Sequence, residues 1–387
     1  MSNWIPPPKT AAMDPRLIPV KLPSSQYDIL IHAPEGPSGH SLRQLGSQLR
    51  ARGLAGKALV VSHPLIAKHF AEGVMQGLQE AGFAAQLCLL PAGERFKTPR
   101  SIAKIHDAAL AFGLERSSSL IALGGGVIGD MAGFAAATWL RGIPFVQVPT
   151  SLLAMVDASI GGKTGVNHPQ GKNLIGAFHQ PRLVWIDPTV LKTLPRREFA
   201  SALAEVIKYG VIQAADVFEF LEDRPNLSRY DDFAPADLHH LLVRSAECKA
   251  LVVQQDEKEG GLRAILNYGH TLGHALESVT HYRRYLHGEA VAVGMVAAGE
   301  IAQRLGWWSA GEAQRQRQLI EKAGLHSQWP SGIPWEAVLQ AMQADKKVKQ
   351  GRIRFILPRQ IGHAELTDQV GLEEIQQSLQ AIADAAA

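Results

Sequence analysis

The sequence predicts an α/β domain built on a parallel sheet, followed by a mostly α-helical domain. Three observations carry that prediction. The chain is 387 residues long, which fits two domains better than one. Short apolar runs alternate with helix-period segments through its first half, the pattern of a parallel sheet covered by helices. From about Glu198 onward the periodicity is almost purely helical.

In order, "KALVVS" (57–62) reads as a strand and "LIAKHFAEGVMQGLQEAG" (65–82) as a helix. "FAAQLCLL" (83–90) is a strand and "TPRSIAKIHDAALAFG" (98–113) a helix. "SSLIALGG" (118–125), "VIGDMAGFAAATWL" (127–140) and "PFVQVPT" (144–150) give strand, helix, strand. The stretch 150–181 is rich in Gly, Asn and Lys and mostly aperiodic, so it reads as a long functional loop. "RLVWID" (182–187) is a last strand. Helices are predicted over 197–213, 236–256, 264–279, 287–305, 309–323 and 334–346, then a strand over 351–358 and a closing helix. The expected division is a flexible N-terminal extension (1–25), a nucleotide-binding α/β domain (26–192) and a helical domain (193–387).

Composition sets outer limits. The chain is 46% hydrophobic and 19% charged with a net charge of +3, and no Lys/Arg block marks a nucleic-acid-binding tail. No apolar run reaches the length of a membrane span. The N-terminus lacks the basic and apolar regions of a signal peptide, and the two cysteines, Cys88 and Cys248, make no disulfide framework. The expectation is a cytoplasmic protein with neither nucleic acid nor membrane as partner.

Several constellations offer chemistry. Gly124-x-Gly126-x-x-Gly129 follows a strand and opens a helix, which lets a backbone approach a pyrophosphate at the helix N-terminus. The acidic residue that such motifs place about 20 positions on is missing, so a merely tight turn competes with nucleotide binding. Asp130 suits either a ribose or a helix cap. The long loop carries Asp157, Lys163, Lys172 and Asn173 among glycines, which suits either a phosphate or carboxylate ligand or a solvated, flexible loop. Glu205 and Lys208 stand three apart on one helix, a spacing that gives either a surface ion pair or, among these apolar neighbours, a partly buried one. In "NYGHTLGHA", His270 and His274 share a helix face, and the spacing leaves open whether both grip one metal. Glu205, His270 and His287 would make a two-histidine, one-carboxylate set with an open position, as a catalytic zinc needs. Lys249, Arg263, Asn267, Lys346 and Lys347 are either solvated groups or part of an anion clamp.

"ALGGGVIGDMAGFAAATWLRGIPFVQVPTSLLAMVDASIGGKTGVNHPQGKNLIGAFHQP", "AEVIKYG", "NYGHTLGHALE", "HGEAVAVGM" and "DKKVKQGRIRFILP" together resemble the 3-dehydroquinate synthases, sugar phosphate cyclases, over nearly the whole chain from residue 26. The resemblance implies a Rossmann-like first domain, NAD+ and a Zn2+ ion replaceable by Co2+, with Glu205, His270 and His287 as metal ligands. It implies cofactor contacts from Glu94, Lys97, Gly125, Gly126, Asp130, Thr150, Ser151, Thr193, Leu194 and Glu198, with Asp157, Lys163 and Lys172 between cofactor and substrate. It implies substrate contacts or catalytic roles for Asn173, Lys208, Lys249, Arg263, Asn267, His274 and a lysine of the Lys346-Lys347 pair. Arg141 would reach the substrate phosphate of the other subunit in a homodimer. The sequence departs from many relatives at His63, where Asn is common, and at Ser151, where the hydroxyl of a common Thr is kept.

The substrate so implied is 3-deoxy-D-arabino-heptulosonate 7-phosphate, whose carboxylate and phosphate account for the cations. Rival readings are a cyclase for another sugar phosphate, a metal-dependent polyol dehydrogenase that uses NAD stoichiometrically, and a nucleotide-binding scaffold without activity.

Overall fold

The structure, a computed structural model, describes residues 14–344 and 353–385. Two compact units emerge: the first runs to Leu194 and takes back Phe233–Lys258, and the second holds Pro195–Asp232 and the chain from Glu259.

The first unit begins with a hairpin, β1 (Arg16–Lys21) and β2 (Gln26–Ile31), then α1 (Leu45–Ala51), β3 (Lys57–Ser62) and α2 (Pro64–Glu80). It continues through β4 (Ala84–Leu89), α3 (Pro99–Phe112), β5 (Ser119–Gly124), α4 (Gly126–Thr138) and β6 (Phe145–Pro149). After a π turn over Ala154–Ala158 come a second hairpin, β7 (Lys163–His168) and β8 (Gly171–Phe178), and β9 (Leu183–Ile186). The main sheet has seven strands in the order β1-β2-β9-β6-β5-β3-β4, parallel except for β1. β5, β6 and β9 are buried at every residue, which is why they read as unbroken apolar runs rather than alternating ones. Leu59, Val61, Leu120, Met131 and Phe145 belong to the core that packs α3 and α4 on this sheet. Pro99 at the start of α3 pre-sets the helical φ, and Thr98 caps it by accepting from the Ser101 N–H.

In the second unit α5 (Arg196–Ile212) is buried at every residue from Phe199 onward. It is followed by α6 (Ala215–Glu222). The chain then returns to the first unit as α7 (Pro235–Gln255). Back in the second unit are α8 (His270–Val279), α9 (His287–Arg304), α10 (Ala310–Lys322), α11 (Trp335–Ala344), a hairpin of β10 (Phe355–Gln360) and β11 (His363–Thr367), and α12 (Leu372–Asp384). Glycines let these helices touch backbone to backbone. A Cβ on Gly288 of α9 would lie 1.7 Å from the Ser201 carbonyl oxygen of α5, and one on Gly294 would lie 1.9 Å from that of Gly269.

The structure departs from the sequence-based expectation in several places. The N-terminal stretch expected to be flexible contains β1, an edge strand where Pro19 is tolerated because only one neighbour pairs with it. The aperiodic stretch 150–181 is a π turn and a hairpin. The helix expected over 264–279 is two elements: a 3-10 turn (Leu262–Asn267), then Gly269 at φ 76, then α8. Only a glycine takes that left-handed step without strain. α6 and β11 were not expected, and Lys346 and Lys347 lie outside the described residues.

Candidate functional site

In the second unit, α5 presents Glu205 and Lys208 from its buried face, and the Lys208 ammonium pairs with Glu205 Oε2. Both side chains are 1% exposed. The other carboxylate oxygen, Glu205 Oε1, is buried and has no hydrogen-bond partner among the described residues. Two imidazoles face it. His270 Nε2, at the first position of α8, stands 3.4 Å away, and His287 Nε2, at the first position of α9, stands 3.6 Å away. The outer nitrogens face other acceptors: His270 Nδ1 is 2.9 Å from the Tyr268 carbonyl and His287 Nδ1 is 3.4 Å from Glu277 Oε2.

This arrangement fits a divalent metal. Leaving a buried polar atom unpaired costs about 1–3 kcal/mol, a penalty that a cation at this oxygen would remove. Zinc bonds of about 2.0–2.2 Å in tetrahedral geometry set ligand atoms roughly 3.4 Å apart, close to both separations above. Burial pushes the His270 imidazole down to about 3, against the pull of Glu205, so it is a bare ligand at neutral pH. Burial also opposes charge on Glu205, but Lys208 and the two imidazoles hold its carboxyl well below the usual range. His287 is raised to about 9 in the absence of metal, because Glu205 and Glu277 outweigh its burial.

His274, one turn along α8, is not one of the groups around Glu205; its ring centroid is 5.3 Å from that of His270. The question left open by the H-x-x-x-H spacing is thus narrowed: His287, not His274, completes the set with Glu205 and His270. Arg263 is fully buried in the 3-10 turn before Gly269, and Asn267 at its end donates to Glu259 at 3.3 Å. Glu198 lies exposed in the first turn of α5.

In the first unit, Gly125 stands at the N-cap position of α4 with extended backbone, and among the described residues no side chain caps the helix, which leaves its first N–H groups open to an anionic ligand. The glycines are there for space as well. A Cβ would come 3.1 Å from Ala158 at Gly126, 2.8 Å from the Gln147 amide at Gly129, and 3.3 Å from Ser151 Oγ at Gly125. Thr150 closes this corner through its N–H to the Gly124 carbonyl. Asp130 is not a cap: it lies inside α4 and pairs with Lys97 at 2.5 Å. Its burial raises the carboxyl above the usual range, with Lys97 pulling the other way. Lys97 also donates to Asn173 Oδ1, and Glu94 accepts from Asn167, which ties the β7–β8 hairpin to the turn before α3. Lys163 and Lys172 stand on that hairpin. Lys249 of α7 donates to the backbone and side-chain oxygens of Asp157 at 2.5 and 2.6 Å. Thr193 and Leu194 end the 3-10 turn after β9, and Arg141 is exposed at φ 66 behind α4. His63 stands at the N-cap position of α2, where among the described residues it makes no capping bond and its buried Nδ1 has no partner.

Sequence reasoning did not single out Glu277 or Asn167. For Glu277 a signal exists: it follows His270 by seven and His274 by three residues, the same helix stripe.

Comparison with known proteins follows the same lines. The sequence model described as "3-dehydroquinate synthase N-terminal" matches residues 87–201, and "3-dehydroquinate synthase C-terminal" matches 202–348. The chain is 62% identical over 365 residues to a 3-dehydroquinate synthase from Acaryochloris marina, covering 92% of this chain and 96% of that protein. A solved structure of 2-epi-5-epi-valiolone synthase from Streptomyces hygroscopicus subsp. jinggangensis, with NAD+ and Zn2+ bound, is similar with a TM-score of 0.83 at 29% identity, covering 94% of this chain and 99% of that one. A crystal structure of 2-deoxy-scyllo-inosose synthase complexed with carbaglucose-6-phosphate, NAD+ and Co2+ is similar with a TM-score of 0.84 at 25% identity, covering 95% and 100%.

Proposed function

The chain belongs to the 3-dehydroquinate synthase family, and from that premise we propose that it converts 3-deoxy-D-arabino-heptulosonate 7-phosphate to 3-dehydroquinate and phosphate as a metal- and NAD-dependent lyase. The observation that carries the reading is the unpaired, buried Glu205 oxygen facing two imidazole nitrogens beside Lys208. NAD+ and Zn2+ or Co2+ in the two solved relatives support the same cofactors here.

Glu205, His270 and His287 would hold the metal. Gly125, Gly126, Asp130, Glu94, Lys97, Thr150, Ser151, Thr193, Leu194 and Glu198 would hold the dinucleotide. When bound, the metal would supply Lewis acidity at the substrate hydroxyls and NAD+ would supply reversible hydride acceptance, with no net oxidation of the substrate. The chain's own residues bind and orient. Lys163, Lys172, Lys208, Lys249 and Arg263 meet the carboxylate and phosphate of the substrate, with Asn173 and Asp157 completing that set. Lys346 and Lys347 are assigned to the same task. Asn267 hydrogen-bonds the substrate, and His274 moves a proton at its imidazole nitrogen. The enzyme is assigned to the cytoplasm and to a homodimer in which Arg141 reaches the partner's substrate phosphate.

The test is an assay with the heptulosonate phosphate, catalytic NAD+ and Zn2+. Phosphate and dehydroquinate should appear together without net NADH, and a chelator should stop both. Accumulating NADH sinks the synthase reading in favour of a dehydrogenase. His287→Ala should lose the metal, whereas His274→Ala should keep it and lose turnover; equal metal loss in both contradicts the division of roles.

A further inference from the structure

The Glu277 carboxylate has no part in the roles above, yet its position is unusual. It is 4% exposed and lies in the last turn of α8, where neither burial nor the helix dipole favours a negative charge. A side chain placed against both rules calls for a compensating partner. His287 supplies it, with Nδ1 3.4 Å from Glu277 Oε2. His274 stands on the other side, its ligand atom within 4.8 Å of both.

The two imidazoles facing Glu205 are arranged alike. Each turns Nε2 toward the Glu205 oxygen and Nδ1 toward an acceptor. An imidazole ligates through a bare nitrogen, and the proton then resides on the other one, whose acceptor sets both tautomer and ring orientation. For His270 that acceptor is the Tyr268 carbonyl, and the Tyr268 hydroxyl is itself anchored to Gln316 Oε1 at 2.6 Å. For His287 no backbone oxygen serves among the described residues; the acceptor there is the Glu277 side chain.

We propose that Glu277 is a positioning residue that accepts the His287 Nδ1–H and thereby holds His287 Nε2 toward the metal. The proposal rests on the reading of Glu205, His270 and His287 as a metal centre. It assigns Glu277 no contact with metal or substrate. Its consequence is that metal affinity, not only turnover, depends on an acceptor at position 277.

Three proteins and one probe test it: Glu277→Ala, Glu277→Gln and the unaltered chain, with Zn2+ affinity measured by chelator competition. Glu277→Ala should weaken Zn2+ binding about 10–100-fold, the loss typical of removing an outer partner of a metal-bound histidine. Glu277→Gln keeps an acceptor oxygen and should recover most of that loss. Zn2+ binding by Glu277→Ala at the unaltered affinity overturns the proposal, and so does a Gln variant as weak as the Ala one. The unaltered chain gives a second readout that needs no variant to fold. With Zn2+ loaded and histidine rings labelled with 15N, His287 should show a protonated Nδ1 and a metal-bound Nε2. A bare Nδ1 overturns the assignment. Should His287→Ala retain its full Zn2+ content, the metal-centre reading fails and takes this proposal with it, an outcome separable from failure at position 277 alone.

Discussion

Gly294→Ala is the sharpest test of how the second unit holds the proposed metal ligands. The added Cβ would lie 1.9 Å from the Gly269 carbonyl oxygen, and real Cβ atoms essentially never come closer than 3.0 Å to such an atom. α8 and α9 must therefore part by at least 1.1 Å (3.0 − 1.9) at this crossing. The shift is not cheap, because the obstructing atom is backbone and Gly269 is already held at φ 76. The next residue is His270, so the shift is delivered straight to a proposed ligand. Ligand distances in metal sites lie within about 0.2 Å of their standard values, a margin several times smaller than this shift. Overpacking costs about 1–3 kcal/mol, opposed by about 1 kcal/mol of helix propensity gained by alanine. The Tm should fall by several degrees, since a unit of this size loses about 2–4 °C per kcal/mol. Zn2+ affinity should drop at least about tenfold, as for other disturbed ligand supports. Chelator competition and thermal melting of the purified variant measure both. An alanine variant with unaltered Zn2+ affinity and Tm would refute the claim that this glycine contact positions His270.

Other substitutions probe the first unit. Gly73→Ala should stabilise by about 0.5–1 kcal/mol, because the residue is mid-helix in α2 and its nearest obstacle, Leu42 Cβ, is 4.0 Å away; a lowered Tm contradicts this. Lys97→Met leaves Asp130 and Asn173 without their shared donor, and should cost about 1–3 kcal/mol in urea denaturation. Adding Asp130→Leu should restore part of that loss, and strict additivity of the two changes would argue against the pairing. Acid should weaken the fold through His32, which is 7% exposed, has its ring centroid 4.2 Å from that of Trp185 at a tilt of 48°, and is pushed down to about 4 by burial. Its folded pKa lies below the unfolded value of 6.5, so the unfolded chain binds the extra proton and stability is lost as pH falls from 6.5 towards 4. Between pH 7 and pH 4.5 that loss amounts to about 2 kcal/mol. Denaturation of the unaltered chain and of His32→Phe at both pH values checks it: the variant should lose less stability on acidification, and equal losses would contradict the assignment.

The sheet was largely legible because its central strands are buried on both faces and so read as apolar runs bounded by turn residues. β1 escaped because its exposed residues and Pro19 mask a strand that is stabilised by pairing with β2. The hairpin of β7 and β8 escaped because Gly165 and Gly176 face each other there, leaving no side-chain alternation to see. The Glu205, His270 and His287 grouping was legible as residue types, but spacing alone did not separate His274 from His287, since that depends on how α8 and α9 meet. Asn267 fell with His270 inside the single helix expected over 264–279. The break at Gly269 puts it on a separate turn, a distinction that rests on one backbone angle. Glu277 was hidden for the opposite reason: it sits on the expected stripe, and only its distance to His287 gives it meaning.

The return of α7 to the first unit has a consequence for the order in which the protein is made. α7 packs on β1, β2 and the π turn, where Arg16 meets Glu247 and Lys249 meets Asp157. When a ribosome has released residues up to Asp232, the sheet has all its strands but not the helix that covers this flank. The first unit is begun first yet completed only once Lys258 has emerged, after α5 and α6 of the second unit have already been synthesised. A gene split at Leu194 would thus yield a half whose Asp157 waits for a lysine encoded on the other piece.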